Sequence, residues 1–151
     1  MSEFTLEEVP ATTVATLRRN VPVADLPGFF DSAFSHVAGA VADAGGEVGP
    51  PPFGWYHGMP TDTVDVSVGF PVVGDVHELG GGVGLHERPA VRAAVGIHVG
   101  PYDGLGATYA RMQQWVAEQG LAASGEMWEE YLSPPEGDPS TWRTRVVIPV
   151  E

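Results

Sequence analysis

Hydrophobic positions along this chain switch between a two-residue and a helical period, and they do so twice in the same order. Val64, Val66 and Val68 alternate with Asp65, Ser67 and Gly69, which predicts a half-buried strand. Leu26, Phe30, Ala33, Phe34, Val37 and Val41 recur at helical spacing between Asp25, able to cap the start, and Gly45-Gly46, which ends the helix. Short strands are expected before that helix at Phe4 to Val9 and Thr13 to Leu17. Another is expected after it at Trp55-Tyr56, where the GPPPFG run forces an extended entry.

The second half repeats this order. Val91 to Val99 predicts a strand, GPYDG a turn whose Asp103 can cap a helix, and Leu105, Tyr109, Met112, Trp115 and Val116 the apolar stripe of that helix up to Gly120. Strands at Met127 to Leu132 and Thr144 to Val150 follow, separated by a loop at 133–140 rich in Pro, Gly, Asp and Ser. A shift of 79 positions puts Pro22 on Pro101, Leu26 on Leu105, Phe30 on Tyr109 and Val37 on Val116. The halves cover about 1–71 and about 83–151. They are joined by a linker at about 72–82 that holds the Gly80-Gly81-Gly82 turn. The expected class is therefore α+β: one compact domain with a duplicated β-α-β-β unit, an antiparallel sheet and both helices on one face. Two such halves make a groove where they meet, a usual place for a small ligand.

Composition narrows the chemistry. With 151 residues, 43% of them hydrophobic, the chain can bury a core, and with no cysteine it has no disulfide, thiolate nucleophile or Cys-ligated zinc. The net charge is −13 and all seven basic residues are arginine, so the surface repels nucleic-acid backbones and anionic membranes. One reading of that bias is solubility with the composition of a GC-rich or salt-adapted organism; the alternative is a field that draws in cationic small molecules, which scattered surface carboxylates alone do not establish. The start MSEFTLEEVP lacks the basic and apolar regions of a signal peptide, and no apolar run nears the roughly 18 residues of a span, so a cytoplasmic location is expected. His36, His57, His77, His86 and His98 show no metal spacing, and no phosphate loop, nucleophile elbow or dinucleotide fingerprint is present. Neither metal nor cofactor is expected. His98 is expected to hydrogen-bond the turn before the second helix, and the glycines of GLGATYA to serve close helix packing.

The segment WEEYL is the sharpest chemical signal. On a strand, Glu129 and Tyr131 point one way while Trp128, Glu130 and Leu132 point the other. If Glu129 faces the helices, it lies among aromatic rings, where an unpaired carboxylate costs several kcal/mol unless it is protonated or partnered, and a cationic ligand can be the partner. Phe30 and Tyr109 occupy matching helix positions, Tyr56 matches Tyr131, and Phe34 lies one helical turn from Phe30. Aromatic faces attract cations by about 0.5–2 kcal/mol each, so this set suits planar lipophilic cations. The alternative is that the rings fill the core beneath the sheet.

The run HVGPYDGLGATYARMQQWVAEQG, followed by GEMWEEYLSPP and a closing VVIPV, resembles the GyrI-like family. These effector-binding domains occur alone or fused to MerR- and AraC-type transcription activators. The resemblance covers nearly the whole chain. It implies an SHS2-like duplicated fold with a ligand groove between the halves, and it places the glutamate of the family's WExY segment on Glu129. Multidrug-sensing members use that glutamate beneath an aromatic pocket to meet cationic drugs. The ligand-binding set implied here is Glu129, Tyr131, Tyr56, Tyr109, Phe30 and Phe34. Two departures matter. The sequence carries no fused DNA-binding domain, so a regulatory role would need a separate partner or sequestration of ligand. Phe30 and Phe34 also lack the hydroxyls of some relatives, which favours apolar flat ligands. Some stand-alone members resemble hydrolases that open cyclopropane rings of DNA-alkylating natural products, and Glu129 would then be the catalytic general base. A protein-interaction role such as gyrase inhibition is the third reading.

Overall fold

The computed structural model describes residues 4–58, 61–76, 78–133 and 136–151. His77, one of the histidines considered above, lies outside them, as do parts of the leader, the linker and the 133–140 loop. The strands are β1 (Thr5–Val9), β2 (Thr12–Pro22), β3 (Glu47–Val48), β4 (Phe53–Tyr56), β5 (Thr63–Val73), β6 (Gly84–Arg88), β7 (Val91–Val99), β8 (Met127–Tyr131) and β9 (Arg143–Pro149). The helices are α1 (Leu26–Asp43) and α2 (Leu105–Glu118). The α+β class and the antiparallel sheet are as expected. β2 runs five residues past the expected end at Leu17, because Arg18 to Pro22 continue in register against β5.

Neither expected aspartate cap forms. Asp25 ends a 3-10 turn, Val23–Asp25, that leads directly into α1, and its side chain makes no capping bond. Asp103 sits inside the matching turn, Tyr102–Gly104, and Gly104 takes the cap position. The reason is local: the 3-10 turn leaves the residue before each helix in helical geometry (Asp25 φ -94°, ψ -1°; Gly104 φ -84°, ψ -8°) instead of the extended geometry from which a cap side chain reaches back to the first turn. α1 stops where expected, at Gly45, whose φ of 84° suits a residue without a Cβ.

The sheet order is β1-β7-β9-β8-β4-β5-β2-β6, with β3 paired to β5. The halves meet at β4 and β8, where Gly54 faces Glu129 and Phe53 faces Glu130. They also exchange leading strands. β1 pairs with β7 of the second half and β6 pairs with β2 of the first. The two ladders share one register: from Val9 opposite Val91, three residues along each chain lead to Thr12 opposite Arg88. Pro10 and Pro89 sit in the short links between them, where a missing N–H costs no ladder bond. Because β1 runs into β2 and β6 into β7, the two ends of the sheet are covalently tied, which curls it.

Both helices cover one face. Ala33, Val37 and Val41 of α1 pack on Leu17, Val66 and Val68; Met112 and Val116 of α2 pack on Ala94, Val146 and Ile148. Each fully buried side chain of this size contributes roughly 1.5–3 kcal/mol. The other face carries a third cluster of Val9, Ala93, Val95, Trp128 and Val147. There Arg88 is buried with its guanidinium 4.2 Å from the Trp128 ring centre and 4.8 Å from that of Phe53. Glu130 accepts hydrogen bonds from the Trp128 indole at 2.8 Å and from Arg145 at 2.9 Å. These contacts hold Glu130 on the face away from the helices, which leaves Glu129 beneath them. Among the described residues no helix is long and apolar enough to cross a membrane.

Candidate functional site

Glu129 stands at the middle of the sheet, on the helix-covered face, and is 5% exposed. Two hydroxyls hold it: Tyr131 donates to Oε1 at 2.7 Å, and Tyr109, reaching in from α2, donates to Oε2. Burial pushes the Glu129 carboxyl above the usual carboxylate range, while these two donors oppose that rise by favouring the charged form. Burial, followed by the charge of Glu129, drives Tyr56, Tyr109 and Tyr131 upward as well, so their hydroxyls stay protonated and able to donate. Among the described residues no basic side chain bonds this carboxylate, and His98 acts on it only through space, as a weaker pull toward the charged form than the two hydroxyls.

Gly54, directly opposite in the β4–β8 ladder, is the position that corresponds to Glu129 in the other half. Gly54-Trp55-Tyr56 matches Glu129-Glu130-Tyr131, and the two segments cross antiparallel at Gly54 and Glu129. One half therefore supplies the carboxylate and the other supplies space. A Cβ on Gly54 would lie 2.9 Å from Cε1 of Phe30 and 3.1 Å from the Tyr131 hydroxyl.

A cavity of about 1070 Å³ opens in front of Glu129. Tyr56 and Tyr131 flank the carboxylate. Phe30, Phe34 and Phe70 form an aromatic wall, with the Phe30 and Phe34 rings each 6.2 Å from Tyr131 in edge-on geometry and Phe34 5.4 Å from Phe70. Pro50, Pro51 and Pro52 build a second wall, Tyr102 and Leu105 close the α2 side, and Asp31, Leu132 and Ser133 reach the rim. None of the described lining residues is basic.

Of the residues singled out from sequence, Glu129, Tyr131, Tyr56, Phe30 and Phe34 line this cavity. Tyr109 does not; it stands behind Glu129 as a hydrogen-bond donor. Sequence reasoning passed over Phe70, Tyr102, the proline wall and Asp31. Phe70 was findable, since it continues the parity of Val66 and Val68 on β5. Tyr102 lies inside the HVGPY run but in a turn, where parity says nothing. Trp55 and Trp128 belong to the opposite face, packed on each other at 6.4 Å, while Trp142 lies 5.1 Å from Tyr102 beside the opening. His98 bonds the turn as expected, its Nε2 donating to the Pro101 carbonyl at 3.0 Å and its Nδ1 meeting the Thr108 hydroxyl at 2.7 Å.

A family model described as the GyrI-like small molecule binding domain matches residues 2–151. Among solved structures, the EcmrR C-terminal domain is similar at 26% identity and a TM-score of 0.85, over 98% of this chain and 96% of that one. EcmrR in a complex with DNA gives 26% identity and a TM-score of 0.83, and this chain spans only 57% of that longer one. A hydrolase encoded by lin2189 from Listeria innocua shares the fold at 19% identity, with a TM-score of 0.73 over 99% of this chain and 92% of that one. SAV2435 bound to tetraphenylphosphonium shares it at 12% identity, with a TM-score of 0.71 over 99% and 94%. Curated protein sequences gave no match.

Proposed function

The chain belongs to the GyrI-like small molecule binding domain family, and from that premise we propose that it binds planar, lipophilic cations, with Glu129 as the counter-charge and the surrounding rings as a stacking surface. The observation that carries this reading is the isolation of Glu129: a buried carboxylate held by two neutral hydroxyls, at the base of an aromatic cavity whose described lining has no basic side chain. A buried acid of this kind favours a ligand that brings its own positive charge, because pairing offsets desolvation on both sides. Tyr56, Tyr131 and Tyr102 add aromatic rings whose faces attract a cation. The cavity accommodates different flat molecules, which suits a multidrug-type sensor or sequestering protein in the cytoplasm. The tetraphenylphosphonium bound by the distant relative SAV2435 shares the aromatic, lipophilic and cationic character of this class, with its four rings set tetrahedrally about phosphorus.

A hydrolase reading uses the same residue. The raised carboxyl of Glu129 is suited to general-base work on a water molecule, and a fold relative is described as a hydrolase. It requires a second polar group that orients water, and both hydroxyls nearest to Glu129 already donate to the carboxylate itself. Binding is therefore the reading adopted.

Calorimetric titration with tetraphenylphosphonium and its anionic isostere tetraphenylborate tests it. The two ions have nearly the same shape and opposite charge. Saturable binding of the cation, with the anion at least tenfold weaker, is expected; equal affinities would contradict the reading.

A further inference from the structure

Building on the cation reading above, we propose that the cavity is suited to elongated molecules with two cationic centres, the inner one seated at Glu129 and the outer one at Asp31. The lining holds two carboxylates at different depths: Glu129 is buried at the base, whereas Asp31 is exposed at the rim. The Asp31 side chain makes no hydrogen bond or ion pair among the described residues. It follows Phe30 on α1, and the Phe30 ring packs against Tyr131, which holds Glu129. The aromatic wall of Phe30, Phe34 and Phe70 thus connects the two acids with an apolar surface.

The size and the charges fit such an occupant. The cavity, at about 1070 Å³, is at the upper end of the roughly 300–1,000 Å³ typical of small-molecule sites, which leaves room for an apolar spacer beyond a single ring system. A monocation satisfies Glu129 and leaves Asp31 to solvent. A dication whose charges repel each other through a spacer places the second charge where the cavity opens. Because Asp31 is exposed, its share is modest, about two- to fivefold in affinity, and it weakens with salt. It acts as a specificity-determining residue.

The test uses two probes: a decane chain with quinolinium at one end, and the same chain with quinolinium at both ends. Affinities are measured by calorimetry for the native protein, Asp31→Asn and Glu129→Gln at low salt. The ratio of dication to monocation affinity is the readout, so the statistical advantage of two identical ends cancels between proteins. The ratio is expected to fall about two- to fivefold in Asp31→Asn, because the dication loses more than the monocation, while Glu129→Gln weakens both probes. A ratio unmoved by Asp31→Asn, with Glu129→Gln still weakening both, overturns the two-centre proposal and leaves the cation reading standing. Loss of neither probe in Glu129→Gln, or no binding by the native protein, overturns both. Exposure of Asp31 makes the substitution compatible with folding, and a thermal melt verifies it.

Discussion

Gly54 lies directly across the β4–β8 ladder from Glu129, and its missing side chain lets Phe30 and Tyr131 close over the carboxylate. Gly54→Ala would insert a methyl 2.9 Å from the Phe30 ring. Overpacking of this kind costs about 1–3 kcal/mol. The expected result is a lower melting temperature together with cation affinity reduced roughly tenfold, read by calorimetry alongside a thermal melt; unchanged affinity would show that Phe30 need not hold its place.

The buried acid also sets how stability depends on pH. Glu129 titrates above its ordinary value of 4.5 in the folded protein, so the folded state binds this proton more tightly than the unfolded chain. Its contribution to stability is fully present below the unfolded value and is lost as pH rises through the folded one. Relative to Glu129→Gln, the native protein should therefore lose stability as pH climbs from about 4.5 toward neutrality. Urea titrations at stepped pH measure the difference, and a flat difference between the two proteins would mean that burial leaves the carboxyl unshifted.

Tyr131 contributes both a ring and a hydroxyl, which two substitutions separate. Tyr131→Phe removes the donor at 2.7 Å and should move the Glu129 carboxyl further upward, so that cation affinity falls off at a higher pH than in the native protein. Tyr131→Ala also removes ring contacts with Phe30 and Phe34 and should cost more affinity at neutral pH. Tryptophan fluorescence titration follows both, since Trp142 lies against Tyr102 at the opening. A larger loss in Tyr131→Phe would contradict the stacking role.

On the far face, Glu130 and Arg88 fix the strand that carries Glu129. Glu130→Ala leaves the Arg88 guanidinium buried between Phe53 and Trp128 without the carboxylate whose nearest oxygen is 3.9 Å away, and it frees the Trp128 indole N–H. Removing one member of a buried pair costs about 3–5 kcal/mol. Chemical denaturation should show a loss of that size, and one below about 1 kcal/mol would mean that the aromatic sandwich alone holds Arg88.

The repeat, the two helices and the alternation in WEEYL were legible in the sequence because parity and helical period are local properties. Parity alone put Glu129 and Tyr131 on one face and Glu130 on the other, and the structure agrees. What stayed hidden depended on long-range register. Nothing local in Thr5–Val9 or Gly84–Arg88 says that each pairs with the opposite half. The importance of Gly54 appears only when β4 meets β8, since glycine in a short strand after three prolines reads as a turn remnant. Asp25 and Asp103 have the composition of caps, but each belongs to a 3-10 turn that enters its helix in helical geometry, from which the side chain makes no capping bond. Tyr102 and Asp31 were missed because a turn residue and an exposed helix residue carry no burial pattern.

The central claim is that Glu129 supplies the charge that selects cations. Its most direct test is the affinity of Glu129→Gln for tetraphenylphosphonium and for neutral triphenylphosphine oxide, which keeps three of the four rings, measured side by side with the native protein. Losing a charge-assisted contact of about 1.5–3 kcal/mol predicts roughly a 10- to 100-fold drop for the cation and less than a threefold change for the neutral compound. Equal losses for both compounds would contradict the claim.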